Sequence, residues 1–177
     1  ATAPTELELN PADDCLDASE NQLVVEIDAQ GLQALAVGGQ FFLDYDESLL
    51  DFVSADPGDG PFTVEIYESV NETTGTIDYA VGVPNGDTGT AVPTTMARIT
   101  FDVLGDFCET ADLVTFRPGV NPPSRITDAT GTDLGAGLID LGPVTKDSLS
   151  PIVSSPSAIA LNADAGMCDA VVVVPPI

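Results

Sequence analysis

The sequence predicts an all-β protein: a β-sandwich of roughly nine antiparallel strands, followed by a C-terminal β extension. Three observations carry this. Short runs alternate apolar and polar residues with a period of two, clusters of Gly, Pro, Asn and Asp separate the runs, and helical periodicity is absent. With 177 residues, 44% of them apolar, the chain is large enough for one ordinary domain with a real core and somewhat more.

Taken in order, residues 5–9 alternate cleanly and stop at Asn10-Pro11. An acidic loop over 13–21 leads into a strand at 23–28. Residues 39–45 place Phe41, Leu43 and Tyr45 on one face and Gln40, Phe42 and Asp44 on the other. The pattern breaks at Asp46-Glu47-Ser48, where Asp46 can cap a short turn, and resumes at 50–55, returning Leu50 and Phe52 to the core. Strands at 62–70 and 76–83 bracket a turn at 71–75. After Pro84-Asn85-Gly86-Asp87, residues 94–104 set Ala97, Ile99, Phe101 and Val103 against Met96, Arg98, Thr100 and Asp102. Shorter strands follow at 113–117, 126–128 and 138–141, and the domain ends near 145. This is the pattern of two packed antiparallel sheets. The aromatics Phe41, Tyr45, Phe52, Phe62, Phe101 and Phe116 fall on these strands, as core filling or as a sugar-stacking platform. The absence of tryptophan weighs against the platform.

Charge narrows the function classes. Twenty-nine acids face four cations (Arg98, Arg117, Arg125 and Lys146), for a formal charge of −25. Such a field repels nucleic acid and anionic membrane surfaces and favours solubility. No run approaches the roughly 20 apolar residues of a membrane-spanning helix. There is no histidine, so the commonest general base and transition-metal ligand are missing, and no nucleophile has its usual partner. The chain reads as non-catalytic, without a required cofactor. Closely spaced acids do offer oxygen ligands for calcium at Asp13, Asp14 and Asp17, at Asp56 and Asp59, and at Asp128 and Asp133. None follows an EF-hand pattern, and ordinary turn chemistry accounts for the same clusters.

Three cysteines are scattered without a C-x-x-C spacing. Cys15 follows the first strand and Cys108 the long strand ending at Leu104, both in polar loops. A disulfide between them would close a loop of about 90 residues and stabilise by about 4–5 kcal/mol on the chain-entropy argument. Cys168 is then unpaired or paired across chains. The opening Ala1-Thr2-Ala3-Pro4 fits a mature end left by signal-peptide cleavage, and a trimmed chain would look the same. Asn71-Glu72-Thr73 is a glycosylation sequon. Together these point to an extracellular or cell-surface protein.

The stretch Gly39-Gln40-Phe41-Phe42-Leu43-Asp44-Tyr45-Asp46, its one-turn break, and Leu50-Asp51-Phe52 resemble cohesin domains, in which a Gly-x-Gln-Phe-x-Leu-x-Tyr-Asp strand is followed by Leu-x-Phe. The resemblance continues through Asp56-Pro57-Gly58, the strand start Gly75-Thr76-Ile77 and the alternating Ala97-Ile99-Phe101-Val103, covering roughly 5–145. It implies a jelly-roll sandwich of about nine strands, a fold shared with related carbohydrate-binding modules. It also implies a non-catalytic module of extracellular assemblies that docks other protein modules, the dockerins, through one sheet face. That face carries no short fixed motif, so no docking residue transfers by position.

Residues 146–157 form a Pro- and Ser-rich linker, and 158–177 a β extension. Pro151-Ile152-Val153-Ser154-Ser155-Pro156 and Ala165-Gly166-Met167-Cys168-Asp169 resemble the opening of a hyalin repeat, an immunoglobulin-like module of adhesion proteins, with Ser155 where that family has cysteine. Ala170, Val171, Val172, Val173 and Val174 form a strand apolar on both faces, which requires cover on both sides. It either folds back on its own domain, is a remnant of a longer protein, or inserts into a neighbouring copy and builds a head-to-tail homopolymer.

Overall fold

A computed structural model describes residues 3–17 and 19–148. The described residues contain thirteen strands and no helix. They are β1 (Glu6–Pro11), β2 (Cys15–Leu16), β3 (Gln22–Gln30), β4 (Gly38–Tyr45), β5 (Leu50–Pro57), β6 (Val64–Asn71), β7 (Thr76–Gly82), β8 (Thr94–Val103), β9 (Phe107–Thr110), β10 (Val114–Phe116), β11 (Arg125–Thr127), β12 (Gly137–Ile139) and β13 (Val144–Lys146). One sheet has the order β12-β1-β3-β8-β5 and the other β10-β4-β7-β6, with β11 also pairing β4. This is the all-β sandwich the alternation predicts.

The core follows directly from the period-two pattern. Leu23, Val25, Ile27 and Ala29 of β3 and Ala97, Ile99 and Phe101 of β8 point inward from one sheet, and Phe41, Leu43 and Tyr45 of β4 with Ile77, Tyr79 and Val81 of β7 from the other. Each fully buried aliphatic or aromatic side chain stabilises by about 1.5–3 kcal/mol relative to exposure. Tyr45 and Phe52 both lean on Phe101, with ring centroids 5.1 and 6.4 Å away. Five of the six aromatics assigned to strands are buried and Phe52 is partly so, which makes them core rather than a row of exposed rings.

The turn after β4 forms as expected. Asp46 Oδ1 accepts hydrogen bonds from the Ser48 amide and hydroxyl at 2.9 and 2.6 Å, and the chain turns into β5 with Leu50 buried. At the β6–β7 hairpin, Gly75 has φ +59°, and a Cβ there would stand 2.2 Å from the Tyr45 carbonyl oxygen. Only glycine fits that approach, which brings the hairpin tip against the end of β4.

Two features differ from the sequence reading. A third, small sheet of order β2-β13-β9 lies where β3 begins and β8 ends. Its strands are two to four residues long, too short for a periodic signal, so Cys15 and Cys108 lie on strands rather than in loops. The sandwich is also not wholly antiparallel, because β12 pairs with β1, and β13 with β2, in parallel. Lys146, assigned to the linker, is the last residue of β13, and its buried Nζ donates to the carbonyls of Asp17 and Glu20.

Candidate interaction surface

The outer faces of the two sheets differ in chemistry. On the five-stranded sheet the outward residues are mostly polar and rich in acids, and many are hydrogen-bonded across the strands. Asn10 Nδ2 and Thr95 Oγ1 donate to Asp28, Gln30 Nε2 donates to Glu8, and Gln22 Nε2 donates to Asp102. Arg98 joins Glu26 at 2.8 Å and Asp59 at 3.1 Å. A hollow of about 380 Å³ on this side is bordered by Asp28 and Asp59, whose carboxylates already have these partners.

The outer face of the β10-β4-β7-β6 sheet is less charged and incompletely paired. Register places Arg125, Gln40, Ala80 and Tyr67 in one rung across β11, β4, β7 and β6. The next rung holds Phe42, Asp78 and Ser69. Beyond Glu65 the β6 register slips by one residue before Tyr67. A bulge sets two residues against one on the partner strand, so a residue that strict alternation would turn inward is re-aimed. Here Ile66 and Tyr67 both come to lie on the outer side. Ile66 Cδ1 reaches 2.8 Å from where a Cβ on Gly82 would stand, so the glycine makes room for it. Ile66 is nevertheless 65% exposed and Tyr67 55%. Two adjoining hollows of about 290 and 320 Å³ share Gln40, Ile66 and Ala80, the first reaching Arg125 and the second Phe42.

Arg117 crosses the other end of this face. Its Nε meets Asp44 at 2.6 Å and its Nη1 meets Asp78 at 2.8 Å. Its Nη2 donates to the carbonyls of Leu43 and Ile77. Burial opposes its charge, but the two carboxylates more than offset this and hold the guanidinium above its ordinary value. Arg117 thus offsets part of the charge of Asp44 and Asp78, whereas Arg125, on the β11 edge of the same face, makes no ion pair among the described residues.

The residues singled out from sequence fare differently. The expected Cys15–Cys108 disulfide is not formed: both thiols are free and exposed. Strand β13 runs between them, with Thr145 opposite Cys15 and its Oγ1 accepting the Glu109 amide on the other side. Two strand spacings separate the backbones by about 10 Å, beyond the roughly 7 Å a disulfide spans. The acidic clusters act as turn-formers. Asp13 accepts from the Cys15 amide, Asp17 from Ser19, Asp128 from Thr130 and Thr132, and Asp133 from the Gly135 amide. The Ser19 hydroxyl and amide hold Asp17, and the Thr130 hydroxyl chiefly holds Asp128, below the usual carboxylate range. Asp14 contributes its backbone carbonyl to Thr145, Asp56 accepts from Ser54, and Asp59 pairs with Arg98. Among the described residues, no group of three acidic or cysteine side chains is arranged to hold a metal ion. Asn71 is exposed at the end of β6, its side chain accepting the Thr73 amide. Ala170 to Val174, the hyalin-like segment and Cys168 lie outside the described residues. Among the described residues, no helix is long and apolar enough to cross a membrane.

No family model and no curated protein matches this chain. Solved structures do. A type II cohesin of Bacteroides cellulosolvens is 14% identical, with a TM-score of 0.64, and the match covers 80% of this chain and 99% of the cohesin. The second type II cohesin module of an adaptor scaffoldin from Acetivibrio cellulolyticus is 13% identical, with a TM-score of 0.64 over 85% of this chain and all of the module. A cohesin from scaffoldin B of the same organism, solved in complex with a dockerin, is 15% identical, with a TM-score of 0.58 over 82% and 100% of the two chains. At this identity the likeness speaks to architecture, and the architecture is that of the cohesin β-sandwich.

Proposed function

We propose that this chain is a non-catalytic protein–protein interaction module that docks a partner protein module through the outer face of the β10-β4-β7-β6 sheet. The observation that carries the reading is the asymmetry between the two sheets. One outer face is rich in acids and largely joined by its own hydrogen bonds, with exposed apolar residues only on its edge strands (Val53, Leu138 and Ile139), whereas the other presents exposed Ile66 and Tyr67 beside half-buried Phe42 and Ala80. An exposed aromatic–aliphatic cluster in a hollow, with polar groups around it, has the composition of a binding hot spot. The cohesin-like architecture supports the same reading, since one neighbour is solved with a dockerin bound. The acidic surface and the sequon at Asn71 accord with work outside the cell.

The test is a calorimetric screen against purified dockerin modules, using the full chain, Ile66→Asp, and Asp51→Lys as a control on the opposite sheet. A charge placed in the centre of the hollow should weaken binding by about thirtyfold or more, equivalent to about 2 kcal/mol. Binding that survives Ile66→Asp and is lost with Asp51→Lys would place the docking surface on the other sheet.

A second reading, self-assembly, is favoured by the β6 edge. Among the described residues this strand is the last of its sheet, and seven of its eight residues are exposed. An open edge of this length accepts a further strand, which Ala170 to Val174 of a neighbouring copy would supply. Light scattering and electron microscopy of the full chain and of a chain lacking 158–177 decide it. Oligomers that vanish on truncation support the second reading, and monomers in both samples end it.

A further inference from the structure

Of the four cations, three are engaged. Arg98 holds Glu26 and Asp59, Arg117 holds Asp44 and Asp78, and Lys146 donates to two backbone carbonyls. Arg125 differs: its Nε is buried without an acceptor, and its side chain makes no ion pair among the described residues. In a chain with 29 acids, an arginine lacking a carboxylate is unexpected. The acid nearest in sequence, Asp128, turns its Oδ1 to Thr130 and Thr132 and makes no ion pair with Arg125. A guanidinium left partly buried and unpaired is unfavourable, and an external counter-charge relieves it. Arg125 stands opposite Gln40 in the register and lines the hollow that contains Ile66 and Ala80.

We infer that the docking partner presents a carboxylate to Arg125, from an Asp or Glu flanked by an apolar residue that enters the hollow beside Ile66. This rests on the docking face proposed above and names its chemistry. A carboxylate is favoured over a neutral carbonyl because it supplies counter-charge to the whole guanidinium and can take two N–H bonds from its Nη groups, the buried Nε being out of reach. The Gln40 amide beside it is a further donor of the right size. The long-range field of the chain opposes an acidic partner, but at physiological salt it is screened beyond about 8 Å, leaving the local pair to decide. The apolar neighbour supplies the desolvation that makes such a pair strong.

The test is selection of a displayed random-peptide library on the full chain, followed by affinity measurement of synthetic copies of the enriched peptides. Enriched peptides should carry an Asp or Glu next to an apolar residue. Arg125→Gln and, separately, replacement of the peptide acid by its amide should each weaken binding about tenfold or more. Both changes together should weaken it little further. Arg125→Lys should recover part of the loss, and unchanged circular dichroism of both variants shows that the fold is intact. Peptides without an enriched acid, or peptides whose binding ignores Arg125→Gln but is abolished by Ile66→Asp, overturn the inference and leave the docking face standing. Peptides indifferent to Ile66→Asp overturn the docking face as well.

Discussion

Replacing Tyr79 by phenylalanine should stabilise the protein, against the usual sense of a core substitution. Tyr79 is 1% exposed, and its hydroxyl is buried with no hydrogen-bond partner. The ring fills the space between the sheets and phenylalanine keeps it. What is lost is a hydroxyl whose unpaired burial costs about 1–3 kcal/mol, together with a few weak dispersion contacts at the void it leaves. The net gain expected is about 1 kcal/mol, or about 2–4 °C in Tm for a domain of this size. Urea denaturation at pH 7 should show a higher midpoint with an unchanged slope, since the exposed surface is the same.

The pH dependence sharpens the prediction. Burial first, and then the charges of Glu65, Asp56 and Glu68, push the Tyr79 hydroxyl above the ordinary tyrosine range. A raised folded-state value means that the stability linked to this proton is present below the unfolded value of about 10 and is lost as pH rises above it. The difference between Tyr79→Phe and the parent should therefore be flat from pH 5 to 9 and widen above pH 10. Destabilisation by more than about 0.5 kcal/mol at pH 7 would refute the reasoning and indicate that an ordered water satisfies the hydroxyl.

Two further predictions concern charged groups. Arg117→Met leaves Asp44 and Asp78 facing each other and removes the donor to two backbone carbonyls. Breaking a buried pair costs about 3–5 kcal/mol, and the partial exposure of these groups brings the expected loss to about 2 kcal/mol, read by denaturant titration. Asp44→Asn in the same chain should return part of it. Glu68 faces the inter-sheet edge, where burial and then the Glu65 charge raise its carboxyl, partly opposed by the Ala55 amide. Its ionisation therefore opposes folding above its unfolded value and has no effect below it. Glu68→Gln should be stabilising at pH 7 and neutral at pH 3.5, and a gain that persists at pH 3.5 would contradict the assignment.

Much of the fold was legible because β3, β4, β7 and β8 bury one face each, which writes a period of two into the sequence. The short strands β2, β9 and β13 carry too few residues to show any period, and their pairing is a tertiary fact. That is why Cys15 and Cys108 read as loop residues free to meet. The acids at 13–17 and 128–133 were legible as turn chemistry, since Asp and Asn side chains bond backbone amides two residues on. The candidate surface was harder to find. Strict alternation in β6 puts Ile66 and Tyr67 on opposite faces, and only the bulge brings them together. Arg125 was visible as one of four cations, but its lack of a partner depends on where every acid comes to lie.

The two parallel pairings have a mechanical consequence. Hydrogen bonds in a sheet run across the strands. Were tension to enter at residue 5 and leave at residue 147, β1 and β12 would be drawn in opposite directions along their axes, and so would β2 and β13. Loaded this way, the bonds of each pair bear force together in shear, whereas an antiparallel terminal pair would open one bond at a time. Lys146, fastened to the carbonyls of Asp17 and Glu20, adds a cross-link at the same seam. A module joined in series with others would then hold its shape under drag until both pairs slip at once, which single-molecule pulling would record as one high-force event.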